Sequence, residues 1–298
     1  MSEKVVLGVD NRAISEPVVR WITERALLDE PLDIEIVSVA DVGWVPAGAS
    51  DVEYRNAYEQ ALWESVEALR ARIPGVPVET TLLWGLPGSL LVDASARADL
   101  LVLAGDRAGF VQGLVSGTLP LRVAARSRCP VVVVPAEHTP APHAHHGRRV
   151  VLGVSLDSSD DQAVEFAGRE ATRYGYPLHI VHAVPLPQSL LVEDLISDDP
   201  VDELLRAGGR MLDTTVAEVQ ARHPHLAVTS STPRGRTVES LDDESRDAAM
   251  LVVGSRGRGP VGSVVLGSVS HDVLRNPPCV VAVVPHARAR TSEGGTGS

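Results

Sequence analysis

The chain repeats itself once, and that constrains its fold more than any other feature. KVVLGVD at residues 4–10 returns as RVVLGVS at 149–155. ADLLVLAGDRAGFVQGLVSGT (98–118) lies without a gap on AAMLVVGSRGRGPVGSVVLGS (248–268), and CPVVVVP (129–135) lies on CVVAVVP (279–285). The first match is offset by 145 residues and the later two by 150. Large matches in one order with a small length change indicate a duplicated domain of about 140 residues, too long for a solenoid unit. Two domains are therefore expected, at 1–137 and 149–286. The Pro- and His-rich stretch at 138–148 reads as a flexible linker, and ARARTSEGGTGS (287–298) as a disordered tail.

Within each copy, apolar runs alternate with segments of helical period. VVLGV reads as a buried strand; SEPVVRWITERALL follows with apolar residues at helical spacing, Ser15 as candidate N-cap and Pro17 in the first turn. DIEIVSVA and LHIVHAV read as second strands. Helices are expected at about 51–72, with Tyr54, Tyr58, Ala61, Leu62, Ser65 and Leu69 on one face, and at about 200–222, with Leu204, Leu205, Gly208, Leu212 and Val219. VETTLLW and AVTSST are third strands, DLLVLA and MLVVG fourth strands, and the valine-rich runs last strands. Such alternation predicts an α/β chain of two tandem doubly wound domains, each a five-stranded parallel sheet covered by helices on both faces.

Composition narrows the function. A formal charge of −12 and the lack of a lysine cluster argue against nucleic acid as a partner, and 3% aromatic residues argue against base-stacking platforms. No apolar run is long enough to span a membrane and no signal peptide is recognisable, so a soluble, cytoplasmic protein is expected. Cys129 and Cys279, each beside a proline at the head of a valine run, read as small buried hydrophobes rather than a disulfide.

GSRGRGPVGSVVLGS (254–268) holds five glycines directly after a predicted strand, where ligands bind in doubly wound sheets. Glycine lets backbone N–H groups face an anion, and a following helix N-terminus adds partial positive charge. A close helix–strand turn is the plainer use of the same residues. The pattern GxxGx₉GS between strand and helix, together with the opening GVDNRAISEPVVRWITERAL, resembles the universal stress protein family over essentially the whole of both halves.

That resemblance implies an ATP-binding fold in which the end of the first strand and the end of the second hold adenosine while the glycine loop holds phosphates, with magnesium accompanying the nucleotide. In the C-terminal half this implicates Ser155, Ala183, Gly254, Arg256, Gly257, Gly267, Ser268 and Val269; Ser155 stands where the family has aspartate. In the N-terminal half it implicates Asp10, Val39, Gly117 and Thr118, with Ala104 and Arg107 replacing loop glycines. A side chain at a left-handed position costs about 1 kcal/mol, so the C-terminal site is expected to be the more competent one. Ser268 is also a candidate helix cap.

Other chemistry is thinly represented. His138, His143, His145 and His146 lie in the linker without cysteine or carboxylate ligands at metal spacing, and no metal site is expected. His182 reads as a satisfied core histidine, and EDLISDDPVDE (193–203) as a solvated loop and helix start. GxSxG, HExxH and GxxxxGK[ST] are absent and no catalytic nucleophile is nominated. Three classes stay open: a nucleotide-dependent regulator acting on a protein partner, a slow ATPase, and a nucleotide-free scaffold. The resemblance implies pairing of the two last strands into an internal pseudo-dimer, and a homodimer of the whole chain is compatible with it.

Overall fold

The computed structural model describes residues 2–28, 30–41, 50–105, 118–136, 148–155, 161–185, 199–255 and 266–286, with the side chains of 51, 118, 199 and 200 left aside. The N-terminal half runs β1 (Glu3–Val9), α1 (Glu16–Ala26), β2 (Leu32–Asp41), α2 (Asp51–Arg72), β3 (Val78–Gly85), α3 (Pro87–Ala94), a short 3₁₀ turn, β4 (Leu100–Gly105), α4 (Thr118–Ala124) and β5 (Val131–Pro135). The C-terminal half repeats this as β6 (Val150–Gly153), α5 (Asp161–Tyr174), β7 (Leu178–Val181), α6 (Asp199–Arg222), β8 (Val228–Ser231), α7 (Thr237–Ser245), β9 (Met250–Gly254), α8 (Ser268–Arg275) and β10 (Val281–Val284).

All ten strands form one sheet in the order β3-β2-β1-β4-β5-β10-β9-β6-β7-β8. Pairing is parallel within each half. At the junction β5 and β10 run antiparallel, with Val131 opposite Val283 and Val133 opposite Val281. Pairing covers what would otherwise be two exposed apolar edges.

The valine runs are continuous because both faces of these strands are buried. Val132, Val134, Ala282 and Val284 face one core with Trp21 and Ile22 of α1, Leu69 of α2, Phe166 of α5 and Leu212 of α6. Val131, Val133, Val281 and Val283 face the other with Leu91 of α3, Val123 of α4, Leu241 of α7 and Val273 of α8. The expected face of α2 is buried throughout: Tyr54, Tyr58, Ala61, Leu62, Ser65 and Leu69. On α6, Gly208, Leu212 and Val219 are buried, but Leu204 is 43% exposed and belongs to the outer surface.

Helix starts explain several boundaries. Ser50 accepts from Glu53 N (3.2 Å) while the Glu53 carboxylate accepts from Ser50 N (2.9 Å), a reciprocal capping box that opens α2. Ser15 occupies the N-cap position of α1 with Pro17 in the first turn, yet its hydroxyl makes no cap bond and is buried without a partner, contrary to the expected capping role. The second strand of the C-terminal half stops at Val181, short of the expected HAV; Val184 only bridges Arg234.

Candidate functional site

The crevice at the carboxyl ends of the strands is built differently in the two halves. In the C-terminal half, Gly254 ends β9 opposite Val284, and Ser255 follows, donating its N–H to the Val284 carbonyl (2.8 Å). Gly267 N then donates back to the Ser255 carbonyl (2.9 Å), so the two ends of the glycine-rich loop meet. Ser270, in the first turn of α8, donates its hydroxyl to the Gly254 carbonyl (2.6 Å), and the Ser255 hydroxyl accepts from His286 N (3.3 Å). These bonds fix the start of α8 against the end of β9.

The first bond of α8 runs from His271 N to the Gly267 carbonyl (2.8 Å). The N–H groups of Ser268, Val269 and Ser270 therefore have no acceptor within the helix. They form a small patch of donors at the positive end of the helix dipole. Gly267 is the N-cap residue with φ −61°, and Ser268 is the exposed first residue of the helix, so Ser268 does not cap it as expected.

Ser155 follows β6 and is half-buried, and Ala183, just past β7, is buried. Between them, His182 is buried with Nδ1 donating to the Val154 carbonyl (3.0 Å), the satisfied histidine anticipated from sequence. Its ring lies on α6 at Gly208, where an added Cβ would sit 2.8 Å from His182 Cδ2. Glycine is needed there for close approach.

In the N-terminal half the positions of Ser255 and Ser270 are taken by Gly105 and Pro120, in the gapless 150-residue register. Neither can supply a hydroxyl, and Pro120 also removes one backbone donor from the first turn of α4. Gly208 is matched by Tyr58 and Leu204 by Tyr54, since α2 and α6 end 150 residues apart. Tyr54 donates to the Asp41 carbonyl (3.1 Å) and shares a 3.1 Å bond with the Tyr58 hydroxyl; both rings pack on Ala40. Burial, and behind it the Tyr54 hydroxyl, pushes the Tyr58 hydroxyl well above its ordinary pKa. Arg55 stacks over Trp84 beside this cluster, 5.0 Å from the ring centre.

Asp10 follows β1 and is exposed, its carboxylate held by Arg12 through the backbone N–H (2.8 Å), Nε (3.1 Å) and Nη2 (2.8 Å). Val39 is buried in β2 and Thr118 begins α4. Arg107, Gly117, Arg256 and Gly257 lie outside the described residues, as do the linker histidines and most of the acidic run. The backbone cost expected at Ala104 does not arise. Its counterpart Gly254 is still in a strand ladder, and the described glycines with positive φ are Gly75, Gly85, Gly175 and Gly235.

Sequence reasoning overlooked the Ser255 and Ser270 ties and the Tyr54–Tyr58 pair, which it treated only as a core face. The signal was present: aligning the halves pairs serines with Gly105 and Pro120. Elsewhere, Cys129 and Cys279 are buried free thiols raised by burial to about 11 and about 12, inert in character. Among the described residues no group of three or more His, Cys, Asp or Glu could hold a metal, and no helix is long and apolar enough to cross a membrane.

Comparison with known proteins agrees with this architecture. The model of the Universal stress protein family matches twice, at residues 1–135 and 147–285. A universal stress protein of Mycolicibacterium smegmatis is 29% identical over 292 residues, covering 94% of this chain and 96% of its own. One of Mycobacterium tuberculosis H37Rv is 28% identical over 291 residues, covering 93% and 95%. In fold, the crystal structure of a universal stress protein from Archaeoglobus fulgidus superposes with TM-score 0.70 at 20% identity, covering 96% of this chain and all of that one. With two matched domains whose last strands join one continuous sheet, the chain belongs to the universal stress protein family as a tandem member.

Proposed function

We propose that the protein is a nucleotide-binding regulator whose C-terminal half takes ATP with magnesium. The observation that carries this reading is the bond between the loop ends: Gly267 N on the Ser255 carbonyl (2.9 Å) sets the N–H groups of Ser268, Val269 and Ser270, which have no acceptor within the helix, beside the end of β9. Backbone donors at a helix N-terminus suit a phosphate oxygen, and the nearby glycines leave room for it. Gly254, Gly267, Ser268 and Val269, with Arg256 and Gly257 of the intervening loop, would hold the phosphates and their magnesium. Ser155 and Ala183 would border the nucleoside, with a hydroxyl replacing a carboxylate.

The N-terminal site, with Asp10, Val39, Gly117 and Thr118, binds more weakly or not at all in this reading. Pro120 removes a donor, Gly105 and Pro120 stand where Ser255 and Ser270 make their ties, and Arg12 occupies Asp10. In this reading occupancy rather than turnover is the output, read by a protein partner in the cytoplasm. Calorimetric titration of ATP with magnesium tests this directly. One site per chain is expected, lost in Gly257→Ala/Ser268→Ala; no heat from the intact protein would remove the proposal, and steady ADP release would move it to an ATPase.

A further inference from the structure

Two residues at equivalent positions of the duplication meet across the junction. Arg25 of α1 and Glu170 of α5 are 145 residues apart, the same spacing as KVVLGVD from RVVLGVS and as the helix starts Glu16 and Asp161. One copy carries a cation there and the other a carboxylate, and both side chains are fully buried. Arg25 Nη1 donates to Glu170 Oε2 (2.7 Å) and Nη2 to Oε1 (3.0 Å). Its Nε and Nη2 also donate to Glu3 (2.8 and 2.6 Å), and Nη1 to the Tyr174 hydroxyl (3.3 Å), so all five N–H groups are engaged.

A second equivalent pair is inverted in the same way. Glu3 accepts from Arg173 across the junction (2.8 Å), while its counterpart Arg148 lies 3.6 Å from Glu24. The neighbouring backbone seam has no such polarity. VVVVP against VAVV is nearly self-complementary, and a strand of either half could pair equally well with its own copy. In that arrangement Arg25 would face Arg25, or Glu170 would face Glu170, at a fully buried position. A buried ion pair is a poor source of net stability but an effective discriminator against wrong partners.

We propose that the junction is selective by charge: each half accepts the opposite half, from its own chain or by reciprocal exchange with a second copy, and rejects a second copy of itself. The experiment uses full-length chains carrying Arg25→Glu, Glu170→Arg, or both. Each single change puts like charges together and should lower the thermal midpoint by roughly 10 °C or abolish soluble expression. The double change should recover part of that loss; the remainder is held back by Glu3 and Arg173, which still face positions 25 and 170. Co-expressing the two single variants under different tags lets reciprocal exchange rebuild both pairs. Soluble yield and co-capture should then exceed those of either variant expressed with itself by about tenfold. A double variant no better than the singles, or complementary singles that co-purify no more than identical ones, would overturn the proposal.

Discussion

In the N-terminal half two phenols, Tyr54 and Tyr58, pack on Ala40 at the carboxyl end of the sheet; at the same helix positions the C-terminal half has exposed Leu204 and Gly208, on which His182 lies. One half ties its glycine-loop ends with Ser255 and Ser270, and the other has Gly105 and Pro120 there. The strand order is the same in both halves, so fold alone does not explain these differences. Duplication frees one copy to vary at the carboxyl end of the sheet, provided that the shared cores stay intact. The lesson is that two copies of one fold can keep a common scaffold while differing in the side chains at the carboxyl ends of their strands.

Several measurements would break or sharpen this contrast. Tyr58→Ala should cost about 3 kcal/mol in denaturant unfolding, because a buried ring and a hydroxyl pair are lost; Leu204→Ala, at the matching surface position, should stay within about 0.5 kcal/mol. Equal costs would mean that the two helix faces are used alike. Gly208→Val should cost about 2 kcal/mol by forcing the His182 ring aside. Adding His182→Ser, the residue type that Ser38 supplies in the other half, should recover most of that, and an unrelieved loss would place the strain elsewhere.

Ser270→Ala should cost about 1 kcal/mol in denaturant unfolding, since the Gly254 carbonyl loses its hydroxyl donor, whereas Pro120→Ala, at the matching position, breaks no such tie and should cost less. The smallest effect concerns acid. Burial holds His179 below its ordinary 6.5, with Glu244 opposing and Arg149 assisting. The unfolded chain therefore takes that proton first, so the contribution of His179 is full above about pH 6.5 and falls away as pH drops through its lower folded value. At the matching position Glu35 is held below 4.5, chiefly by its hydrogen bond from Arg97, and its contribution is lost only under more acid conditions. Stability measured from pH 7 to 3 should show both steps, with His179→Gln deleting the first.

The duplication, the alternation of strands and helices within each half and the buried face of α2 were legible because periodicity and repetition record burial directly. Ser50 with Glu53 shows how a boundary can be written locally. The misses share a cause: Ser15, Ser268 and Leu204 were assigned by local pattern, whereas their roles depend on what the rest of the fold brings near. Gly254 was read as a left-handed residue from the loop that follows it, but the ladder with β10 keeps it extended. The opposition of Arg25 and Glu170 could be found in the alignment of the two halves only by asking which equivalent positions lie at the junction.

The measurement that tests the central claim most directly is the stoichiometry of ATP binding, with magnesium, to the intact chain and to Ser255→Gly/Ser270→Pro, which gives the C-terminal half the residues of the N-terminal one. The account predicts one nucleotide per chain, lost in the variant while the cooperative unfolding transition is retained. Two nucleotides per chain, or undiminished binding by the variant, would contradict it.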